Sequence, residues 1–343
     1  MKQFLLLSIL FLSTTTFSQN SEKANQYMET FSVSYLQIQK DMWDYTRSVS
    51  HGKSARKVDK RRKELIVTTN TALNKAKRKP GYEGSTRYKD SVVRYFEIID
   101  IVLREDYGKI VNMEEISEQS YDLMEAYMTA RELANDKMKD AGDMVGREQK
   151  TFAEANNINI IENESKLSQK MEVASQVYDH YNAVYLIFFK SYKQELYLLD
   201  AISKNDVSAI QQNKNALIET VEEGYLKLKE VKKYEGDVSM ITATRQLLTF
   251  YKKEAEKNVE VMLDYLDKTQ NFNKIKEAFD KIKEKNRTQE DVDLFNNSVN
   301  EMNEAVNKYN QLNDSSNKER GDLIDNWNKM AEKFTSKYVP RGK

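Results

Sequence analysis

Apolar residues recur along this chain at alternating spacings of three and four, the period of one face of an α-helix. Met28, Phe31, Tyr35, Ile38, Met42, Tyr45 and Val49 form the first such stripe. Ser50-His51-Gly52 supplies a stop, and Ser54 an N-cap for a second helix over about Ala55 to Lys79, whose apolar side carries Val58, Leu65, Ala72 and Ala76. That helix ends at Pro80-Gly81-Tyr82-Glu83-Gly84. A third, from about Thr86 to Tyr107, is apolar on nearly every side except a stripe of Arg94, Glu97, Asp100 and Arg104, which predicts a central helix covered by its neighbours. A fourth helical stretch runs from about Met113 to Ala155, with interruptions expected at Gly142 and Gly146.

The pattern then recurs. Tyr178, Tyr181, Tyr185, Phe188, Tyr192, Glu195 and Leu199 repeat the first stripe at an offset of 150 residues, and Tyr234-Glu235-Gly236 repeats Tyr82-Glu83-Gly84 at 152. Between them, after a turn at Asn205-Asp206, lies a helix with Val207, Ile210, Leu217, Val221, Leu228 and Val231. A duplicated multi-helix unit explains this, and so does coincidence between two amphipathic segments. Near the C-terminus Val292, Phe295, Val299, Met302, Val306 and Tyr309 keep the heptad spacing, and Leu323, Trp327, Met330 and Phe334 resume it after an expected break at Gly321. The organisation read from these signals is all-α: two consecutive elongated bundle units with heptad-packed long helices, over residues 19–160 and 161–339. A leader over 1–18 precedes them and a tail over 340–343 follows.

Composition narrows the chemistry. The 343 residues include no cysteine, ten glycines and two prolines, which excludes disulfide scaffolds, thiolate metal sites and turn-rich β folds. Lys2, the apolar run Phe4 to Leu12 and the small residues of Thr16-Phe17-Ser18 read as a secretory leader cleaved between Ser18 and Gln19. The longest later apolar run, Ala183 to Phe189, is far short of the ~20 residues a membrane span needs. The expectation is an exported protein: periplasmic, surface-associated or secreted, without a lipid anchor.

Total charge is balanced, with 54 basic and 54 acidic residues, but its distribution is not. Between positions 53 and 79 eleven cations, among them Lys53, Arg56, Lys57, Lys60, Arg61 and Lys63, face only Asp59 and Glu64. Two readings follow. The helix contacts a polyanionic envelope polymer through counterion release, or it is neutralised internally by the nine acidic residues of 97–125, which have only Arg104 and Lys109 among them. No nucleic-acid recognition motif accompanies the charge. The Tyr178 to Tyr192 stripe reads as core in preference to a sugar-stacking platform, and Trp43 and Trp327 as packing anchors.

Catalytic and metal signatures are missing from the sequence. The two histidines, His51 and His180, sit in no Glu-x-x-His pair, and no nucleophile elbow, dinucleotide fingerprint or Walker loop occurs. No catalytic residue, metal ligand or cofactor is therefore expected. A carboxylate-using enzyme would need buried, convergent acids that a sequence cannot place. The leading expectation is a non-enzymatic binding or scaffolding module, with an unidentified envelope protein or polymer as partner. The heptad faces could also pair two copies as a homodimer.

The leader, the two similar halves opening on Tyr-rich helices and the terminal Trp327/Phe334 helix together resemble a loosely defined family of bacterial envelope proteins, often lipoproteins, known as leptospiral-type surface proteins of unknown activity. The resemblance implies an envelope location and carries over no functional residue. The chain departs from the lipoprotein form because no cysteine follows the leader.

Overall fold

The computed structural model describes residues 19–50, 55–160 and 165–340. The expected leader with Ser18, the turn at His51 and Gly52, the cap Ser54 and the cation Lys53 lie outside the described residues. Among those described the fold is all-α, with no strand. The helices are α1 Gln19–Ser50, α2 Ala55–Arg78, α3 Arg87–Ile101, α4 Tyr107–Ser117, α5 Tyr121–Ala155, α6 Lys166–Ser203, α7 Val207–Glu230, α8 Ser239–Lys253, α9 Val259–Lys281 and α10 Gln289–Tyr338. Five-residue π turns, Val102–Asp106 and Glu254–Asn258, join α3 to α4 and α8 to α9. No helix is long and apolar enough to cross a membrane among the described residues.

The chain divides into two compact units. The first comprises residues up to Asn182 with the segment from Thr335; the second is Ala183–Phe334. The division falls within α6, between Asn182 and Ala183, and not between residues 160 and 161. Asn156 to Ile158 close α5: Asn157 takes positive φ, and the N–H groups of Asn157 and Ile158 return to the carbonyls of Glu154 and Ala153 in a Schellman motif. Asn205 closes α6 in the same way, and Asp206 then caps α7 by accepting from the Ala209 N–H at 3.0 Å.

Several expected boundaries shift. The expected fourth stretch from Met113 is split: Met113 to Ser117 end α4, and α5 begins at Tyr121, where Ser120 adopts extended backbone and its hydroxyl accepts from the Leu123 N–H at 3.2 Å. α5 runs unbroken through Gly142 and Gly146, both buried, and α10 runs unbroken through Gly321. A glycine inside a helix costs only about 1 kcal/mol relative to alanine, less than a packed tertiary face returns. The expectation for the third helix holds: Tyr88, Val92, Tyr95, Phe96 and Ile99 are all buried, and α3 packs on both α2 and α5.

The repeat is structural. α2 and α7 are both 24 residues long, α3 and α8 both 15, and the π turns follow at the same place, all at an offset of 152. Tyr82-Glu83-Gly84-Ser85 and Tyr234-Glu235-Gly236-Asp237 form the same tight turn, with positive φ at both central residues of each. α1 and α6 correspond at 153, since they end at Ser50 and Ser203. The offset of 150 suggested by the tyrosine stripe is therefore corrected by three residues, close to one helical turn, a slip that an amphipathic pattern barely registers. At 153 buried positions coincide: Ala24 with Val177, Phe31 with Val184, Ile38 with Ser191, Met42 with Glu195 and Tyr45 with Leu198.

In the second unit Gly224, the counterpart of Ala72, lets α7 lie close to α8. A Cβ there would sit 3.1 Å from Leu248 Cδ1 and 3.4 Å from Ile187 Cγ2. Gly224→Val is expected to cost about 2 kcal/mol by overpacking, read as a lowered urea midpoint.

Candidate functional sites: a basic helix face and a buried charged centre

α2 presents Arg56, Lys57, Lys60, Arg61 and Lys63 to solvent. The first turn holds no acidic residue, so Arg56 and Lys57 add to the positive end of the helix dipole instead of offsetting it. Compensation along this half comes from the helix's own two acids. Asp59 pairs with Lys63 at 2.6 Å and Arg62 at 2.8 Å, and Glu64 with Arg61 at 2.8 Å and Lys60 at 3.8 Å. The hydrogen bond from Lys63, with help from Arg62, holds the Asp59 carboxyl below its ordinary range. Arg62 alone turns inward, donating from Nη1 to the carbonyl of Leu103 in the π turn at 2.9 Å.

The acid-rich segment meets α2 outside this face. Lys77 meets Glu97 at 2.8 Å at the far end of α2, whereas Asp100 holds Arg104 and Asp106 holds Lys137. α2 packs on α3, yet Asp100 and Asp106 are taken by Arg104 and Lys137. Arg56, Lys57, Lys60 and Lys63, with Asp59 and Glu64 between them and Val67 and Thr68 beyond, line an open depression of about 980 Å³.

A second cluster lies in the second unit. Glu195 of α6 is fully buried and Glu254, the first residue of the π turn, is 5 % exposed. Arg320 of α10 reaches both, donating from Nε to Glu195 Oε1 at 2.5 Å and from Nη2 to Glu254 Oε1. Its Nη1 donates to Asn317, and its guanidinium lies 5.6 Å from the Phe250 ring centre. Glu195 Oε2, Glu254 Oε2 and the Tyr251 hydroxyl are buried without a hydrogen-bond partner. Burial first, then the charge of Glu254, pushes the Glu195 carboxyl up to about 8. Burial also drives the Tyr251 phenol upward. Arg320 keeps its charge because the two carboxylates outweigh its own desolvation.

The first unit does without this centre. Glu254 corresponds to Val102 and Glu195 to Met42. Phe152 packs on Tyr82 at 5.4 Å as Phe334 packs on Tyr234 at 5.7 Å, a register that places Met138 opposite Arg320. All three counterparts are apolar and buried. Sequence reading counted Glu195 as a member of an apolar stripe; one acid in that stripe was the available signal. Nothing comparable marked Glu254 or Arg320, because partners 59 and 66 residues apart meet only through the fold.

The other expectations resolve more simply. Phe188 is buried and stacks on Trp327 at 4.3 Å between ring centres, and Trp327 donates to Thr244 at 2.8 Å, so Phe188 and Trp327 are core while Tyr185 and Tyr192 of the stripe are half-buried. Trp43 is buried as well. His180 is half-buried. No group of three or more metal-binding side chains occurs among the described residues. Comparison with protein-family models, curated proteins and solved structures finds no match for this chain.

Proposed function

We propose that this chain is an exported, envelope-associated binding module that contacts polyanions through the N-terminal half of α2. The observation that carries this is the exposed row of Arg56, Lys57, Lys60, Arg61 and Lys63, whose ion pairs among the described residues run to two carboxylates of its own helix at the positive end of the dipole. Such a cluster repels itself in the free protein and gains by displacing counterions from a phosphate- or sulfate-bearing polymer. Glu195 and Glu254 are closed to solvent, which supports a binding role over one in which they act on a substrate. Export and an envelope location belong to the proposal through the leader-like Lys2 to Ser18 and the family resemblance.

Salt titration tests it. With four or five cations engaged, affinity for lipopolysaccharide or heparin is expected to fall about a hundredfold between 50 and 200 mM salt. Binding that is indifferent to salt would sink the reading.

A further inference from the structure

The centre at Glu195, Glu254 and Arg320 is one positive charge short. Two carboxylates and one guanidinium sum to −1 when all are ionised, and an uncompensated interior charge costs more than a change of protonation. The polar atoms give the same count. Each carboxylate uses Oε1 on the one Arg320 guanidinium, which makes them neighbours, and each leaves Oε2 buried without a partner. A single proton held between them supplies the missing charge and the missing donor. We propose that this centre is a proton-binding site, occupied by one proton shared between Glu195 and Glu254, whose release as the medium turns alkaline loosens the second unit.

Its surroundings leave the proton little competition. α6 contributes Glu195 and Tyr192, α8 Tyr251, the π turn Glu254 and α10 Arg320. The other charged groups nearby are engaged elsewhere: Lys253 with Glu319 at 2.8 Å, Lys252 with Glu222 at 2.5 Å, and Lys214 of α7 with Glu260. Both histidines, His51 and His180, fall outside Ala183–Phe334, so no imidazole of that unit titrates in the same range. The first unit, built on the same repeat with Met42, Val102 and Met138 at the equivalent positions, shows that the fold does not require the charges. Replacing a buried ionic triad by apolar residues is often neutral or stabilising.

The direction follows from linkage. Burial, then the charge of Glu254, pushes the Glu195 carboxyl in the folded state up to about 8 from its ordinary 4.5. Between those values the folded chain binds more protons than the unfolded one, so stability is greatest at the acidic end and is lost as pH rises toward 8. Below about 4.5 and above about 8 this group contributes no further slope.

The test is urea unfolding of the full chain at pH 5.5 and 8.5, followed by Trp327 fluorescence in a Trp43→Phe background. The unfolding constant of that transition is expected to rise on the order of a hundredfold between the two pH values, since each unit of pH contributes up to about tenfold. Glu254→Gln puts a permanent donor beside Glu195 and should abolish the rise. So should the triple change Glu195→Met, Glu254→Val and Arg320→Met, which borrows the first unit's residues and decides the matter if the single variant does not fold. A flat Trp327 transition in the parent, or a pH dependence that survives in either variant, overturns the proposal. The result is independent of polyanion binding by α2.

Discussion

Removing Arg320 alone, as Arg320→Met, is expected to destabilise the second unit by about 3 to 5 kcal/mol at neutral pH, because it strands two carboxyl groups in the interior with no cation. Each then faces the full desolvation penalty, and the only relief is to take up protons. The loss should therefore shrink as pH is lowered toward 5. The triple change to Met, Val and Met is expected to behave in the opposite sense, within about 1 to 2 kcal/mol of the parent or more stable, since no charge is left behind. Urea midpoints read from Trp327, which packs on Phe188 in that unit, measure both. An Arg320→Met cost below about 1 kcal/mol would mean that water reaches the carboxylates and that the centre is not desolvated.

The second large effect belongs to α2. Lys57→Glu, Lys60→Glu and Arg61→Glu together should weaken heparin or lipopolysaccharide binding by at least about a hundredfold at 50 mM salt and reduce the slope of log affinity against log salt by about 2 to 3, from roughly 0.7 to 0.9 per lost cation. All three side chains are exposed, so folding should be little affected. The comparison is an equal charge change placed elsewhere. Lys229→Glu, Lys232→Glu and Lys233→Glu are also exposed and alter total charge identically, yet should leave affinity within about threefold. Equal losses in the two triples would show that total charge, and no particular face, drives binding.

These two sites differ in how far the sequence announced them. The basic face was legible because its signal is local: eleven cations within 27 consecutive residues stay together whatever the fold, provided the segment is a helix. Whether they were already neutralised was not legible. The nine acids of 97–125 looked sufficient, but the element and face each acid occupies, from α3 through the π turn and α4 to the start of α5, and the competing claims of Arg104 and Lys137, depend on helix rotation in the assembled unit. For the buried centre even the participants were hidden. Glu195 stood in an apolar stripe, Glu254 lay in a charged run and Arg320 in a polar stretch, and no spacing rule links them.

The sequence by itself determined much of the element order: α1, α2, α3, α7 and α10 lie close to the segments its heptads mark, as do the turns at Tyr82-Glu83-Gly84 and Tyr234-Glu235-Gly236 and the repeat that those turns betray. Such features follow from periodicity, capping and the φ preference of glycine, all of which act over a few residues. Tertiary structure decided the register between the halves, the continuity of α5 through Gly142 and Gly146, the helix boundary at Ser120, and the meeting of Glu195, Glu254 and Arg320. Each of those rests on burial against a distant segment, and a desolvated charge gets its energy, and its affinity for a proton, from neighbours that sequence distance does not reveal.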